Sequence, residues 1–334
     1  MSASDSIAPV SGEGSSRWRR GYALLNQLGP VVGLIVVFAL FAILRPKTFL
    51  RPDNLQIILL QTTVFVTAAL GATVIIISGG IDLSVGSNIA LCAVVIARLV
   101  QMGIPPLPAA LIGISSSVAC GFIIGVLVTG LELSPFIVTL GMWGAIRGLA
   151  KLLSDSTEVA PPLTWLNNIL RQLPDDQKWM IFPVGVWLMF LLTLFVSGIL
   201  HYTRFGRHVF AIGSNEQTAR LCGVRVRWTK LLIYLFAGLF AGLAGLMHFS
   251  HTTIGDATST NGYELNIIAA VVIGGTSLVG GQGGVKGTLT GSLIMSVVAN
   301  GCTKVDMPNP YQEIVTGGII VLAVVLDRFR HRKT

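Results

Sequence analysis

The chain alternates between long apolar runs and shorter polar connections. In lipid, every backbone N–H and C=O must be paired within its own segment or in a closed barrel. The runs lack the alternating apolar and polar positions of barrel strands, so they are predicted to be helices. The pattern therefore predicts an all-α, polytopic integral membrane protein with about ten transmembrane helices. The runs are Leu28–Leu44, Leu55–Ile77, Leu83–Val100, Leu107–Thr129, Pro135–Leu153, Met180–Leu200, Leu231–Phe249, Leu265–Val279, Val285–Ala299 and Tyr311–Leu326.

Composition supports this class and excludes others. Of the 334 residues, 52% are hydrophobic and 11% are charged, whereas soluble domains carry about 25% charged residues. A water-soluble enzyme, a fibrous protein and a disordered chain are thereby excluded. In so apolar a chain, the net charge of +8 indicates cytoplasmic loops enriched in Lys and Arg rather than nucleic-acid binding.

The charged connections predict the orientation of the chain. Basic residues are concentrated in 201–230 and in the C-terminal tail, while the 154–179 connection is acidic. Because cytoplasmic loops carry an excess of Lys and Arg, both termini are expected in the cytoplasm and 154–179 outside. The same threading places three further connections outside, namely 45–54, 101–106 and 250–263.

This threading divides the chain into three parts. Residues 1–27 are expected to form a disordered cytoplasmic tail before an uncleaved first helix, since no small-residue cleavage pattern follows the early basic run. Residues 28–326 form the transmembrane domain, with 201–230 as its main cytoplasmic loop, and 327–334 form a basic cytoplasmic tail. The short, glycine-interrupted runs within 265–299 are compatible with full crossings or with a re-entrant pair.

A first polar stretch interrupts the apolar pattern at Ser78–Ser87, SGGIDLSVGS. Gly79 and Gly80 break the helix, and Asp82 and Ser84 follow directly. Unwound backbone at membrane depth is tolerated only inside protein or beside a watery cavity, and an ionisable residue there is a candidate for the transport pathway. Asp82 is alternatively the N-cap of the next helix, accepting its first N–H groups.

A second stretch, GSNEQTARLCGV, lies inside the basic loop. Ser214 and Gln217 have the spacing of a capping box, Glu216 suits a first helical turn, and Gly223 suits a helix end. These signals predict a short helix outside the membrane. Such a helix is unstable alone in water, so it either packs against its own domain or docks into a cytoplasmic partner.

A third stretch, Ala269–Gly287, is rich in glycine. Glycine-rich loops can bind phosphate, but the pattern GxxxxGK[ST] occurs nowhere in the sequence, so no nucleotide site is predicted. The stretch is expected to be a turn between two short helices, where backbone packs on backbone or lines a pore.

Together, and in this order, the three stretches resemble the permease subunits of bacterial ATP-binding-cassette importers of the ribose, xylose, galactose and arabinose type. The third is quoted as VVIGGTSLVGGQGGVKGTLTGSLI, and SPFIVTLGMWGAIRGLA at Ser134–Ala150 resembles the fifth-helix region of the same family. The resemblance extends over roughly Asn54 to Leu326.

The resemblance implies a homodimer in the bacterial inner membrane that encloses one pathway for a monosaccharide. A separate cytoplasmic ATPase would bind ATP and Mg, and an extracytoplasmic sugar-binding protein would deliver the solute. This chain would be non-catalytic and hold no cofactor. The candidate pathway residues, chosen from the helix break and from polar positions in the apolar segments, are Asp82, Ser84, Thr139, Thr276 and Ser277. The implied ATPase-coupling residues are Ser214, Asn215, Glu216, Gln217, Ala219, Arg220 and Gly223, in a helix where Thr218 and Cys222 replace the family's usual Ala and Ser.

Other functions remain open on the sequence alone. An ion-coupled secondary carrier needs charged groups in the membrane, and Asp82 and Arg147 are the clearest candidates, although Arg147 is expected to snorkel to the outer end of its helix. A membrane enzyme could hold a metal at His248 and His251, but no third ligand accompanies them. A same-family importer could also carry a non-sugar polar solute, such as a furanone-like autoinducer.

Overall fold

The computed structural model describes residues 13–173 and 180–331, and it confirms the all-α class. Within this part of the chain there are thirteen α-helices and one short 3₁₀ helix, Trp165–Asn168. The α-helices are α1 Glu13–Leu44, α2 Pro46–Phe49, α3 Pro52–Ile77, α4 Val85–Gln101, α5 Pro106–Gly130, α6 Pro135–Leu153, α7 Val184–Tyr202, α8 Arg204–Ser214, α9 Glu216–Leu221, α10 Val226–Thr252, α11 Tyr263–Ile273, α12 Val285–Lys304 and α13 Asn309–His331.

Each predicted apolar run falls on one of ten helices. The other three α-helices, α2, α8 and α9, are short and connect the longer ones. Five helices, α3, α5, α6, α7 and α10, have the length and hydropathy needed to cross a membrane by themselves. The expected disordered N-terminal tail lies partly outside the described residues, and from Glu13 onward the chain already continues as α1. Part of the basic C-terminal tail continues α13 as far as His331.

Helix α10 is the centre of the bundle and packs on α3, α4 and α5. Its approach to α5 depends on small residues, since a Cβ on Gly238 would lie 2.7 Å from the carbonyl oxygen of Ser117. A Cβ on Gly242 would lie 3.0 Å from the Cα of Ile114. In lipid, where apolar surface gives no drive to helix association, such close backbone packing supplies the attraction.

Two crossings are interrupted. The first is that of α4, which begins only after the non-helical residues 78–84 that follow α3, and the sequence predicts this break. The second contains α11, whose 11 residues span about 16 Å, whereas the hydrocarbon core is about 30 Å thick. Helix α11 is therefore a half-helix, too short to span the core alone, and the non-helical residues 253–262 precede it.

Helix α12 is a continuous helix of 20 residues that packs on α3. It runs antiparallel to α3 along its length. At one end the hydroxyls of Thr73 and Thr288 are 2.7 Å apart, and at the other Asn54 Nδ2 donates to Asn300 Oδ1 at 3.0 Å. With 20 residues α12 is about 30 Å long, close to the thickness of the hydrocarbon core, whereas α11 is short.

The 250–263 connection, expected outside the membrane, contacts buried residues of the bundle in its second half. The segment begins at the end of the bundle, where Gly255 and Val159 exchange backbone hydrogen bonds of 2.9 Å. It then descends, and Thr260 accepts a 2.9 Å hydrogen bond from Arg147. Arg147 lies six residues before the end of α6, or about 9 Å inside. A polar segment enters the bundle because buried side chains satisfy its backbone.

Candidate functional site

The first helix break is organised by Asp82. Its Oδ1 accepts hydrogen bonds from the backbone N–H of Ser84 at 2.7 Å and from the Ser84 hydroxyl at 2.6 Å. The N-cap of α4 is Ser84, so the expectation that Asp82 occupies the cap position is wrong, while its bond to Ser84 is present. Asp82 thus shapes the turn that leads into α4, and its carboxylate is buried in the bundle.

Three of the candidate pathway residues lie together at this break. Thr139 Oγ1 donates to the carbonyl oxygen of Ile81 at 3.2 Å, which joins α6 to the unwound segment beside Asp82. The Ser84 hydroxyl also accepts from Asn88 Nδ2 at 3.3 Å. Asp82, Ser84 and Thr139 therefore form one polar group among three elements.

The other two candidate pathway residues belong to the glycine-rich turn between α11 and α12. The Ser277 N–H donates to the Gln282 carbonyl at 3.1 Å, and its hydroxyl accepts from Val279 N at 3.3 Å. Thr276 is fully buried, and its hydroxyl has no hydrogen-bond partner among the described residues. Ser277 builds the turn, whereas Thr276 is the polar group left free inside it.

The three sequence stretches meet at a single point, which we name the glycine junction; it comprises Ile77–Gly80, Gly213–Ser214 and Gly280–Gly281. The Gly281 N–H donates to the Ile77 carbonyl at 2.8 Å. A Cβ on Gly280 would lie 2.8 Å from the Gly213 carbonyl oxygen and 3.0 Å from the Gly79 Cα. The expected packing of backbone on backbone is confirmed, and its partners are the other two stretches.

The short helix predicted in the basic loop is α9, but its cap differs from the prediction. Ser214 is the last residue of α8, and Asn215 is the N-cap of α9, accepting from Thr218 N at 2.8 Å. The prediction of a capping box between Ser214 and Gln217 is therefore wrong. Gly223 has φ +85° and ends the helix as predicted.

Helix α9 has one face packed on its own domain and one face exposed. Ala219 is buried against Ile212 and Val226. Glu216 accepts from Lys230 Nζ at 2.6 Å, which ties the first turn of α9 to α10. On the opposite face, Leu221 is 88% exposed. Gln217, Arg220 and Cys222 are exposed as well.

A buried ion pair in the bundle was missed by the sequence analysis. Arg147 Nη1 donates to the carbonyl oxygen of Ala257 at 2.5 Å, and its Nη2 lies 4.0 Å from Glu264 Oε2. The two side chains are only 7% and 10% exposed. The expected snorkelling of Arg147 is therefore wrong, because the guanidinium is held by the descending segment. Glu264, an acidic residue that opens a short apolar run, was the available signal.

The ion pair lies where the N-termini of two interrupted helices meet. A Cβ on Gly86, in the first turn of α4, would lie 3.3 Å from the backbone nitrogen of Glu264, in the first turn of α11. Trp143 Nε1 donates to Glu264 Oε1 at 3.1 Å. A carboxylate is stabilised beside helix N-termini, where N–H groups point outward. Arg147 then balances the charge that would otherwise be buried in the bundle.

His248 has a local hydrogen-bonding role. His248 is buried near the end of α10, its Nε2 lies 2.9 Å from the Ser259 hydroxyl, and its ring packs edge-on against Tyr263. These contacts connect α10 to the descending segment and to α11.

A bundle of mostly apolar helices, two of them interrupted around buried polar groups, defines a polytopic membrane protein. The chain belongs to the family described as branched-chain amino acid transport system / permease component, whose sequence profile matches residues 54–324. The expected resemblance to permeases is thereby confirmed over nearly the predicted range.

Characterised relatives share most of the chain. The ribose import permease protein RbsC of Bacillus subtilis (strain 168) is 38% identical over 91% of this chain and 94% of its own length. The D-allose transport system permease protein AlsC of Escherichia coli (strain K12) is 33% identical, over 96% and 97%. The fructose import permease protein FruG of Bifidobacterium longum (strain NCC 2705) is 32% identical, over 93% and 94%.

Removal of one partner of the buried pair should destabilise the fold. In Arg147→Met, Glu264 keeps a buried charge without its cation, which costs about 3–5 kcal/mol. The control is Arg45→Met, which removes an exposed pair with Asp306 that is worth about 0–1 kcal/mol. Thermal unfolding in lipid nanodiscs should show a much lower Tm for Arg147→Met alone, with partial recovery in Arg147→Met/Glu264→Gln. Equal Tm values for the two single variants would contradict this account.

Proposed function

We propose that this chain is the transmembrane subunit of an ATP-binding-cassette importer and forms the pathway for a monosaccharide. The observation that carries this proposal is the 38% identity to a ribose import permease over 91% of the chain. The allose and fructose permeases named above support a monosaccharide over the amino acids named in the family description. A non-sugar polar solute is the alternative substrate class within the same mechanism.

The exposed face of α9 supports docking of a separate ATPase. The sequence contains no Walker A loop, so ATP hydrolysis that drives import would take place on another chain. Beside α9, a cleft of about 280 Å³ is lined by Arg220 and by the segment from Val224 to Trp228. Trp228 is 64% exposed, and a partly apolar cleft with exposed anchors is typical of an interaction surface.

The orientation follows from the same surface. Helix α9 belongs to the most basic connection of the chain, 201–230, and cytoplasmic loops are enriched in Lys and Arg. We therefore place the α9 end in the cytoplasm of a bacterial cell, with both termini on that side of the inner membrane. A second copy of the chain would complete the pathway, and an extracytoplasmic sugar-binding protein would deliver solute at the opposite end.

Reconstitution into liposomes tests the proposed function. With its ATPase and binding protein, the chain should accumulate labelled ribose only when ATP is supplied, and excess allose, fructose and leucine should be compared as competitors. The chain without the ATPase should not accumulate sugar, because its own sequence carries no Walker A loop for ATP. Uptake driven by a proton or sodium gradient in the absence of the ATPase would instead establish an ion-coupled carrier, and competition by leucine alone would establish an amino-acid importer.

Charge reversal on α9 tests the docking surface. Arg220→Glu and Glu216→Arg should each reduce copurification of the ATPase several-fold, since Arg220 is exposed and Glu216 orients the helix through Lys230. The matched control is Arg51→Glu, which changes an exposed charge at the N-terminal end of α3. The C-terminal end of α3, at Ile77, is the end that contacts Gly213 near α9. Copurification and ATPase stimulation at the wild-type level in both α9 variants would contradict the assignment.

Substitution of Asp82 distinguishes a role in the transport pathway from a role limited to local structure. Asp82→Asn keeps an acceptor for Ser84, so the loss of stability should be about 1 kcal/mol or less. Transport should fall much more, because the variant loses the negative charge at the helix break. The measurement is uptake per assembled complex together with Tm, and Asp53→Asn at an exposed site is the control. Wild-type uptake by Asp82→Asn would restrict this residue to shaping the turn.

A further inference from the structure

The glycine junction connects α9 to both interrupted crossings. Helix α8 ends at Ser214, and only the cap residue Asn215 separates it from α9. Gly213, one residue earlier, contacts the end of α3, where the first break begins. Ser214 contacts Gly281 in the turn that follows the half-helix α11. The residues next to α9 in the chain therefore contact the end of α3, where the break at 78–84 begins, and the turn at 274–284.

The contacts of the junction are made by backbone atoms. A Cβ on Gly213 would overlap the Ile77 carbonyl oxygen and lie 2.6 Å from Gly281 N, and a Cβ on Gly281 would lie 2.9 Å from Ser214 Cα. A hydrogen bond of 2.8 Å from Gly281 N to Ile77 O closes the group. Closely packed backbone has no side-chain rotamers with which to absorb a shift, so movement passes from one segment to the next.

We propose that Gly213, Gly280 and Gly281 are positioning residues that transmit movement of α9 to the helix break at 78–84 and to the turn at 274–284. Helix α9 moves with the ATPase bound to it, the break at 78–84 contains Asp82, and the turn at 274–284 contains Thr276. The junction therefore converts nucleotide-dependent movement into a change of the pathway. This inference rests on the proposed function and adds the route of coupling within the chain.

Gly213 offers a sharp test because its own backbone is helical. In a helix, Ala is favoured over Gly by about 1 kcal/mol, so Gly213→Ala should strengthen α8 locally. Its only unfavourable effect is the added methyl group at Ile77 and Gly281. Gly284→Ala is the matched control, since it lies in the same glycine-rich turn with φ −176° and no atom of the described residues within 4 Å of the added Cβ.

The experiment compares the sugar taken up with the ATP hydrolysed in the reconstituted complex. Gly213→Ala should assemble with the ATPase and hydrolyse ATP, while uptake per ATP falls by at least about fivefold, the lower end of typical coupling between sites. Gly284→Ala should keep the wild-type ratio. Unchanged uptake per ATP in Gly213→Ala would overturn the proposal that the glycine junction transmits movement of α9. ATP-driven uptake by the wild type is measured in parallel, so failure of the proposed function is seen separately.

A second measurement decides the matter if Gly213→Ala does not assemble. Val279 in the junction's turn is 79% exposed, and Cys222 is the exposed cysteine of the described chain. In Cys222→Ser/Val279→Cys, the rate of modification by a membrane-impermeant maleimide should change several-fold when the ATPase is trapped with nucleotide. Leu131→Cys in the same background is the control, because Leu131 is 64% exposed in the connection between α5 and α6. No change at residue 279, or an equal change at residue 131, would overturn the proposal.

Discussion

The structure depends on one constraint: backbone polar groups that leave a helix inside the membrane must find partners in the protein. Each interruption of this fold is satisfied in that way. The Ile77 carbonyl accepts from Gly281 N, and the Ile81 carbonyl accepts from Thr139. In the descending segment, the Ala257 carbonyl accepts from Arg147. The polar side chains of the bundle are therefore placed mainly by the breaks that they satisfy.

The buried charges follow from the same constraint. A guanidinium presents several donors in a fixed fork, and Arg147 uses them to bond Ala257 and Thr260 of one unwound segment. Such a cation inside the bundle requires a nearby anion, which Glu264 supplies from the first turn of α11. The pair thus holds α6, the descending segment and α11 in one arrangement, and its charge is neutral overall. This gives it a structural explanation that does not require an ion-coupled cycle.

The two ends of the bundle differ in the kind of contact that joins their connections, and this difference is consistent with import driven by a partner that binds α9. At one end, the interrupted helices, the glycine-rich turn and α9 converge through backbone contacts. At the other, ordinary surface pairs such as Arg45 with Asp306 join the connections. A partner that moves α9 would thereby act on the break at 78–84 and on the glycine-rich turn. Glycine is required at Gly280 and Gly281 both by close approach and by positive φ values of +95° and +74°.

The sequence by itself determined the fold class, the ten apolar segments, the break after Ile77, the short helix near Glu216 and the family, because each depends on local composition or on a continuous motif. It did not determine the length of α11, the descent of 253–262 into the bundle, the pairing of Arg147 with Glu264, or the meeting of the three glycine-containing stretches. Those features depend on contacts between residues far apart in the chain. Hydropathy gives the length of an apolar run but not the buried partners that let polar backbone cross the membrane, and only the tertiary structure supplies them.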